Sequence, residues 1–160
     1  MTEDGLVKLH IELPKHWAIG GESLWAEPLG NDLFKIQNVP FYAYGLNYCD
    51  TVVATPDSKD SAPEIRKLVE AGGHRTLRLY FNQEIGRAHQ EEILKSLLTF
   101  GATCERADAR LVAIDIKPNG DYLAVFNELE TYLEKEILIF ETCEERAEGS
   151  FDDSPIEDAN

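Results

Sequence analysis

The segment with the clearest chemical potential is Gly72–Arg78, which reads Gly-Gly-His-Arg-Thr-Leu-Arg. Its two glycines free the backbone to turn, a histidine is the side chain type suited to proton transfer near neutral pH, and its two guanidinium groups can bind an anion. The candidate anion-binding residues, in a nest of backbone N–H groups, are Gly73, His74, Arg75 and Arg78. The alternative is structural: the glycines turn the chain, His74 bonds a neighbouring backbone group, and Arg78 pairs with an acidic residue. The segment is not a P-loop, because it lacks Gly-Lys-Ser/Thr.

A second candidate is an acidic surface in the C-terminal half. The formal net charge is −15; residues 1–80 hold 8 basic and 11 acidic groups, and residues 81–160 hold 7 and 19. An acidic patch attracts a basic protein and speeds their encounter, although the same charge also serves solubility as a solvated face. The candidate partner-binding residues are Asp121, Glu128, Glu130, Glu134, Glu144 and Glu145.

The sequence contains no specific catalytic or metal-binding signature. Its three cysteines lie far apart, without zinc-ligand spacing, and the histidines show no such spacing either. Glu22 and Trp25 near Asp50 would form a polar site if their strands paired suitably, and paired carboxylates can do acid–base work, but many such pairs arise by chance among 30 acidic residues. An enzyme would require a cleft in which His74 meets a carboxylate and has a perturbed pKa. We therefore predict a protein that is not an enzyme and has no cofactor or metal.

Charge and hydropathy also indicate a location. The surface repels phosphate backbones, which disfavours nucleic-acid binding. The N-terminal residues are acidic where a signal peptide is basic and then apolar, and no apolar run approaches the ~18 residues of a membrane span. We therefore predict a cytoplasmic protein with reduced thiols that does not associate with membranes.

The elements that position these residues follow from hydrophobic periodicity. From Arg75 to Thr142 the pattern predicts βαββαβ, the order of a ferredoxin-like unit. Its predicted elements are strands Thr76–Phe81, Thr103–Ala107, Leu111–Ile116 and Ile137–Glu141 and helices Gln90–Phe100 and Tyr122–Lys135, with Asp121 capping the second helix. The continuously apolar last strand indicates a central or doubly buried position.

The N-terminal part reads as short strands. Val7–Leu13 alternates with period two, and a hairpin, Glu22–Leu29 with Leu33–Val39, turns at Gly-Asn-Asp. Pro28 favours an edge strand. Thr51–Thr55 is rich in β-branched residues, and Ser61–Ala71 shows helical spacing.

The predicted fold class is α+β, with a small, curled antiparallel sheet or half-barrel packed on the ferredoxin-like unit. The predicted divisions are 1–72, 73–143 and a disordered acidic tail, 144–160, with the first two forming one compact body. Between the strands, Pro40–Asp50 carries four aromatic residues. Such a segment is either a recognition surface or a plug over one end of a barrel, and we favour the plug.

Several segments carry a resemblance to a known family: Glu22-Ser-Leu-Trp25-Ala, Ile36-Gln-Asn-Val-Pro40-Phe41, Asp50 before Val52-Val53-Ala54, Gly72–Arg78, Leu94–Gly101, Leu111–Asp115 and Phe140-Glu141. In these segments the sequence resembles a family catalogued as a domain of unknown function, DUF4265. It implies one compact bacterial domain, sometimes free-standing, and no transferable catalytic activity. A role as an immunity protein against a secreted toxin would fit.

Two hypotheses about function follow. The first is an acidic immunity protein that binds and neutralises a basic toxin domain, and it depends on size, charge, the lack of catalytic motifs and the resemblance. The second is a regulatory module that binds a small molecule through Gly72–Arg78, by analogy with other ferredoxin-like units.

Overall fold

The computed structural model describes residues 5–13 and 20–144. Within these ranges the chain is a mixed α+β protein, with nine strands in two sheets and two α-helices. Neither of these helices is long and apolar enough to cross a membrane. The predicted acidic tail lies outside these ranges from Glu145 onwards, so only its first residue, Glu144, is described.

The first sheet is a closed five-stranded barrel. Neighbouring strands are antiparallel except at the closing seam, where the first and fifth strands run parallel and His10 pairs with Glu64. The half-barrel prediction was therefore incomplete, because a fifth strand closes the sheet. The strands are β1 (Val7–Glu12), β2 (Gly21–Gly30), β3 (Leu33–Ile36), β4 (Thr51–Pro56) and β5 (Pro63–Glu70).

The fifth strand corrects the predicted helix Ser61–Ala71. Its apolar residues fall at helical spacing, yet Leu68 and Val69 are 43% and 50% exposed and only Ile65 packs against the barrel core. β5 pairs along the whole of β4, with two register shifts, and also closes against β1. Without it both strands would be open edges, so long-range pairing overrides the local helical pattern.

The C-terminal sheet has the strand order β7-β8-β6-β9, and every neighbouring pair is antiparallel. The predicted strands and second helix agree with the structure to within one residue at each end. The first helix begins three residues early because Gly86, in an extended conformation, is its N-cap. The elements are β6 (Arg75–Phe81), α1 (Arg87–Leu97) with a 3-10 turn (Leu98–Phe100), β7 (Ala102–Arg106), β8 (Leu111–Ile116), α2 (Tyr122–Glu134) and β9 (Leu138–Thr142).

The prediction that the last strand is central or buried on both faces was wrong. β9 pairs only with β6 and forms one edge of the sheet, and Ile139 is 50% exposed. Pro28 was predicted to lie on an edge strand. The barrel is closed, but the pairing of β2 with β1 stops at Ala26, so β2 has no strand beside Pro28 on that side.

The two faces of the C-terminal sheet differ in chemistry because side chains alternate along each strand. The first face packs against both helices in an apolar core that includes Leu77, Leu79, Ile114 and Leu129. The barrel has its own core, to which Ala43 and Leu46 of the aromatic segment contribute. That segment therefore helps to fill the barrel, as a plug would. The second face of the sheet is the polar one.

Candidate functional site

The polar face of the C-terminal sheet meets the aromatic segment and the end of the barrel. Thr76 and Arg78 of β6, Asp115 of β8 and Glu141 of β9 alternate with the apolar residues of the first face and are all buried. Burying so many polar groups is costly unless each has a partner, and no buried side-chain polar atom among the described residues lacks one. The candidate site is therefore a connected polar network.

Gly72 and Gly73 turn the chain into this network. Gly73 has φ +93°, and a Cβ on Gly72 would lie 2.3 Å from the carbonyl oxygen of Cys49. The Gly72 N–H donates to Asp50 Oδ1 at 2.9 Å, and the Asn47 N–H donates to Asp50 Oδ2 at 2.8 Å. The backbone is thus bonded to a buried carboxylate of the protein itself, which fits the structural alternative for the glycines.

His74 contacts a carboxylate rather than a backbone group. Its Nδ1 lies 2.9 Å and 3.0 Å from the two carboxylate oxygens of Asp115. The His74 side chain is 14% exposed and Asp115 only 6%, and the Tyr48 ring packs edge-on against the imidazole at 5.1 Å. With Nδ1 donating to Asp115, Nε2 is the nitrogen left for a ligand.

The His74 imidazole lines two adjacent clefts. One has a volume of about 550 Å³ and opens towards the barrel, with Lys35, Cys49 and Glu70 among its lining residues. The other has a volume of about 430 Å³ and lies over the sheet, beside Tyr48, Glu105, Asp115 and Lys117. Arg75 and Arg78 line neither cleft.

Burial perturbs the titration of the carboxylates at the second cleft. Burial raises the pKa of Asp115, and its contacts with His74 lower it only in part. Burial, together with the nearby Asp115, also raises the pKa of Glu105. His74 therefore has one part of the arrangement required of an enzyme, a carboxylate partner beside a cleft, and the perturbed pKa values are those of the carboxylates. At the other cleft, burial raises the pKa of the Cys49 thiol, so Cys49 is not the thiolate that a nucleophile requires.

Arg78 is wholly buried and binds groups of the protein itself. Its Nε donates to Glu141 Oε1 at 3.0 Å, and Nη1 donates to the carbonyl oxygens of Ala43 at 2.8 Å and Pro40 at 3.2 Å. Its guanidinium carbon lies 4.7 Å from the centre of the Tyr44 ring. Burial opposes the charge, but Cys143 and Glu141 hold the pKa of Arg78 above its usual value. Arg78 therefore ties the aromatic segment to the sheet and does not grip an external anion.

Arg75 joins the two predicted sites. Its Nη2 lies 2.8 Å from Glu144 Oε1, a residue predicted to bind a partner, and its guanidinium stacks 3.4 Å from the centre of the Tyr122 ring. Burial would raise the pKa of Glu144, but the hydrogen bond from Arg75 lowers it overall. Both side chains are about half exposed, at 50% and 53%. The structure thus separates the four predicted anion-binding residues instead of bringing them together.

The predicted acidic residues of α2 do not share one face. Residues of an α-helix are about 100° apart, so Glu130 and Glu134 point about 40° apart and Leu123 points between them. Glu128 points roughly 160° away from Glu130 and is half-buried. Asp121 is the N-cap, as predicted, accepting the Ala124 N–H at 3.0 Å. We call Leu123, Asn127, Glu130 and Glu134, all exposed, the acidic stripe.

Glu22 and Asp50, the two carboxylates considered for acid–base work, each accept backbone N–H groups from different segments. Glu22 accepts the backbone N–H groups of Phe41, Tyr42 and Ala43 at 2.7–3.1 Å, so it holds the aromatic segment in place. Sequence reasoning also missed Asp115 and Glu141 as the partners of His74 and Arg78. The available signal was a single acidic residue within each otherwise apolar strand, which is where a buried charge with a partner is expected.

Comparison with known proteins places the fold. The family model described as "Domain of unknown function (DUF4265)" matches residues 22–140, which is most of the chain. A crystal structure of a hypothetical protein from Neisseria gonorrhoeae superposes with a TM-score of 0.73 at 18% sequence identity, covering 87% of this chain and 94% of that one. None of the curated proteins searched matches the sequence. The chain belongs to the DUF4265 family of domains of unknown function.

Proposed function

We propose that this chain is a non-enzymatic interaction protein of the bacterial cytoplasm, and specifically an immunity protein that binds a basic toxin domain and neutralises it. The observation that carries the proposal is the acidic stripe on α2. Two exposed carboxylates, Glu130 and Glu134, lie on the same side of the helix as Leu123, which is 64% exposed, and follow it by two and three turns. Exposed apolar surface next to a single sign of charge is a combination that protein interfaces use.

The surroundings of the stripe favour a basic partner. From Leu123 to Glu134 the stripe is about 16 Å long, and Asp121, the N-cap, adds a carboxylate at the start of the helix on another side. Lys135 is the basic residue at its far end, and Glu136 follows directly. A toxin domain that acts on an anionic substrate presents a cationic groove, so a partner that fills this groove with carboxylates would block the substrate.

The proposal assigns different roles to the predicted residues. Glu130 and Glu134 are the principal contacts. Glu128 points to another side of the helix, and Glu144 is already partly neutralised by Arg75 at 2.8 Å. Glu145 lies outside the described residues, and its contribution remains a prediction from charge alone.

We also infer a ferredoxin-like arrangement for the C-terminal unit. Support comes from the order β7-β8-β6-β9, the antiparallel pairing throughout, and the helices that follow β6 and β8. In this arrangement one sheet face carries both helices, which leaves α2 on the outside of the molecule.

The test is co-expression with the product of the neighbouring upstream gene, followed by affinity purification. We expect the two proteins to co-purify, and we expect Glu130→Lys with Glu134→Lys to lower the affinity by about tenfold or more, since both charges would repel a basic surface. The matched control is Glu84→Lys with Glu92→Lys, which makes the same charge change at exposed positions elsewhere. If both double variants lowered the affinity equally, the effect would come from net charge alone, which would contradict the assigned binding site.

A second candidate function is binding of a small molecule at His74. The specific observation is that the imidazole lines two clefts while Asp115 fixes its orientation. A thermal shift with anionic metabolites, lost in His74→Ala but kept in Arg75→Ala, would support this function, because Arg75 lines neither cleft. A thermal shift that is lost equally in both variants would mean that the metabolites bind through general surface charge and not at the clefts.

A further inference from the structure

A cluster of metal-ligating side chains lies at the seam of the barrel, away from the sites described above. His10 and Glu12 are two residues apart on β1, so they project from the same side of the strand. Glu64 of β5 is the residue that pairs with His10 across the parallel seam. The cluster therefore forms only when the barrel closes, which is why spacing along the sequence predicted no metal site.

The three side chains can offer one ligand atom each within a small space. These atoms all lie within 4.8 Å of one another. His10 Nδ1 is hydrogen-bonded to Glu64 Oε1 and lies 3.7 Å from Glu12 Oε1. Ligand atoms around a tetrahedral zinc ion are roughly 3.3 Å apart, given metal–ligand bonds of about 2.0–2.1 Å. Only small side-chain rotations would be needed to place an ion among them.

The surroundings hold the imidazole in place from the opposite side. A Cβ on Gly21 would lie 2.4 Å from His10 Nε2, so the imidazole occupies space that any larger residue would fill. The Glu64 side chain is only 11% exposed, whereas His10 is 31% and Glu12 is 68% exposed. A buried carboxylate beside an imidazole, with a second carboxylate on the open side, leaves a path for an ion and room for water ligands.

We propose that His10, Glu12 and Glu64 bind a divalent transition-metal ion of the Zn²⁺ type. Imidazole nitrogen favours zinc and its neighbours over Mg²⁺ or Ca²⁺, which prefer oxygen ligands throughout. Three protein ligands leave a coordination position for water. Because β1 and β5 share a single paired position at the seam, the ion would also clamp the barrel closed.

The test is isothermal titration of the full chain with zinc chloride, together with thermal unfolding. We expect saturable binding at a single site and a higher Tm with zinc, because an ion that binds only the folded state stabilises it. Magnesium chloride should produce neither effect. Glu12→Gln should weaken zinc binding by about tenfold or more, and its exposed position keeps the fold intact. His89→Gln is the control, because His89 is exposed on α1 and should not matter.

Gly21→Ala tests the geometry while leaving every ligand in place. The new methyl group would displace the imidazole, so zinc affinity should fall by about tenfold, whereas circular dichroism should show a folded chain. Absence of zinc binding, or zinc binding unchanged in Glu12→Gln, would overturn the proposal and would show that the three side chains only contact one another.

Discussion

Two arginine–glutamate pairs start three residues apart on β6 and have opposite roles. Arg78 and Glu141 are 0% and 2% exposed, and the Arg78 guanidinium packs over the Tyr44 ring. Arg75 and Glu144 are 50% and 53% exposed, and the Arg75 guanidinium stacks on the Tyr122 ring. The residue types and the aromatic neighbours are alike in the two pairs. Only the degree of burial distinguishes the internal pair, which holds segments of the chain together, from the pair at the surface.

The same distinction between buried and exposed charges applies to the other charged side chains that the structure describes. Buried polar groups here hold the aromatic segment, the glycine turn and the sheet together, whereas the charges of the acidic stripe have water on their open side. The internal set should therefore govern stability, and the exposed set should govern binding.

The largest expected effect is that of removing the buried arginine. Arg78→Ala should lower the free energy of unfolding by about 3–5 kcal/mol, because Glu141 would stay buried without its cation. Urea denaturation measures this change. The double variant Arg78→Met with Glu141→Leu leaves neither charge unpaired and should recover the part of the loss caused by the unpaired carboxylate, but not the hydrogen bonds to the carbonyl oxygens of Ala43 and Pro40. A single variant that loses less than about 1 kcal/mol would contradict the internal role.

His74→Ala should have an intermediate effect that depends on pH. At neutral pH the buried Asp115 carboxylate would lose its hydrogen-bond partner, at a cost of about 1–3 kcal/mol. Burial already raises the pKa of Asp115 in the folded state. Its contribution to stability is therefore present below its unfolded pKa of about 3.9 and is lost as the pH rises through the folded value.

Without His74, the loss of stability caused by ionising Asp115 should be larger. The free energy of unfolding of the variant should therefore fall furthest below that of the wild type near neutral pH, and the difference should shrink at acidic pH. Urea denaturation over a pH series measures it. Asp115→Asn, which cannot ionise, should flatten this part of the pH profile. A deficit that is the same at every pH would show that His74 contributes by packing alone.

Asp121 lies between the two classes, because it is exposed but caps α2. Asp121→Ala should cost about 1 kcal/mol of stability, whereas Glu130→Ala, on the same helix, should change it by less than about 0.5 kcal/mol. Thermal unfolding of the two variants makes the comparison. Equal losses of stability in the two variants would mean that the effect of Asp121→Ala does not come from the capping hydrogen bond.

The smallest effect belongs to the exposed pair. Arg75→Ala should cost at most about 1 kcal/mol, because solvent screens the interaction with Glu144. The cost should fall further in high salt, whereas the cost of Arg78→Ala should change little. If the two variants respond to salt equally, the contrast between the pairs does not hold.

Much of the fold was predictable where local signals and tertiary pairing agree. The α2 periodicity, the Asp121 cap and the apolar run of β8 all lie within segments whose local preference matches their final state. The helix predicted at Ser61–Ala71 failed because the need of β1 and β4 for a pairing partner is not visible in the residues of that segment.

The candidate sites were harder to predict because their partners are distant in sequence. His74 meets Asp115 41 residues away, Arg78 meets Glu141 63 residues away, and His10 meets Glu64 54 residues away. The sequence indicated which residues carry charge, but strand pairing decides which of them meet. Exposed residues such as Glu130 were easier to place, because the face of a helix follows from its own periodicity.

The measurement that tests the central proposal most directly is survival of cells that express the product of the neighbouring upstream gene, which the proposal takes to be the toxin, together with this chain. Wild-type protein should protect the cells, the Glu130→Lys and Glu134→Lys variant should not, and the control with Glu84→Lys and Glu92→Lys should protect them fully. Protection by the stripe variant equal to that of the wild type, at equal protein levels, would contradict the account.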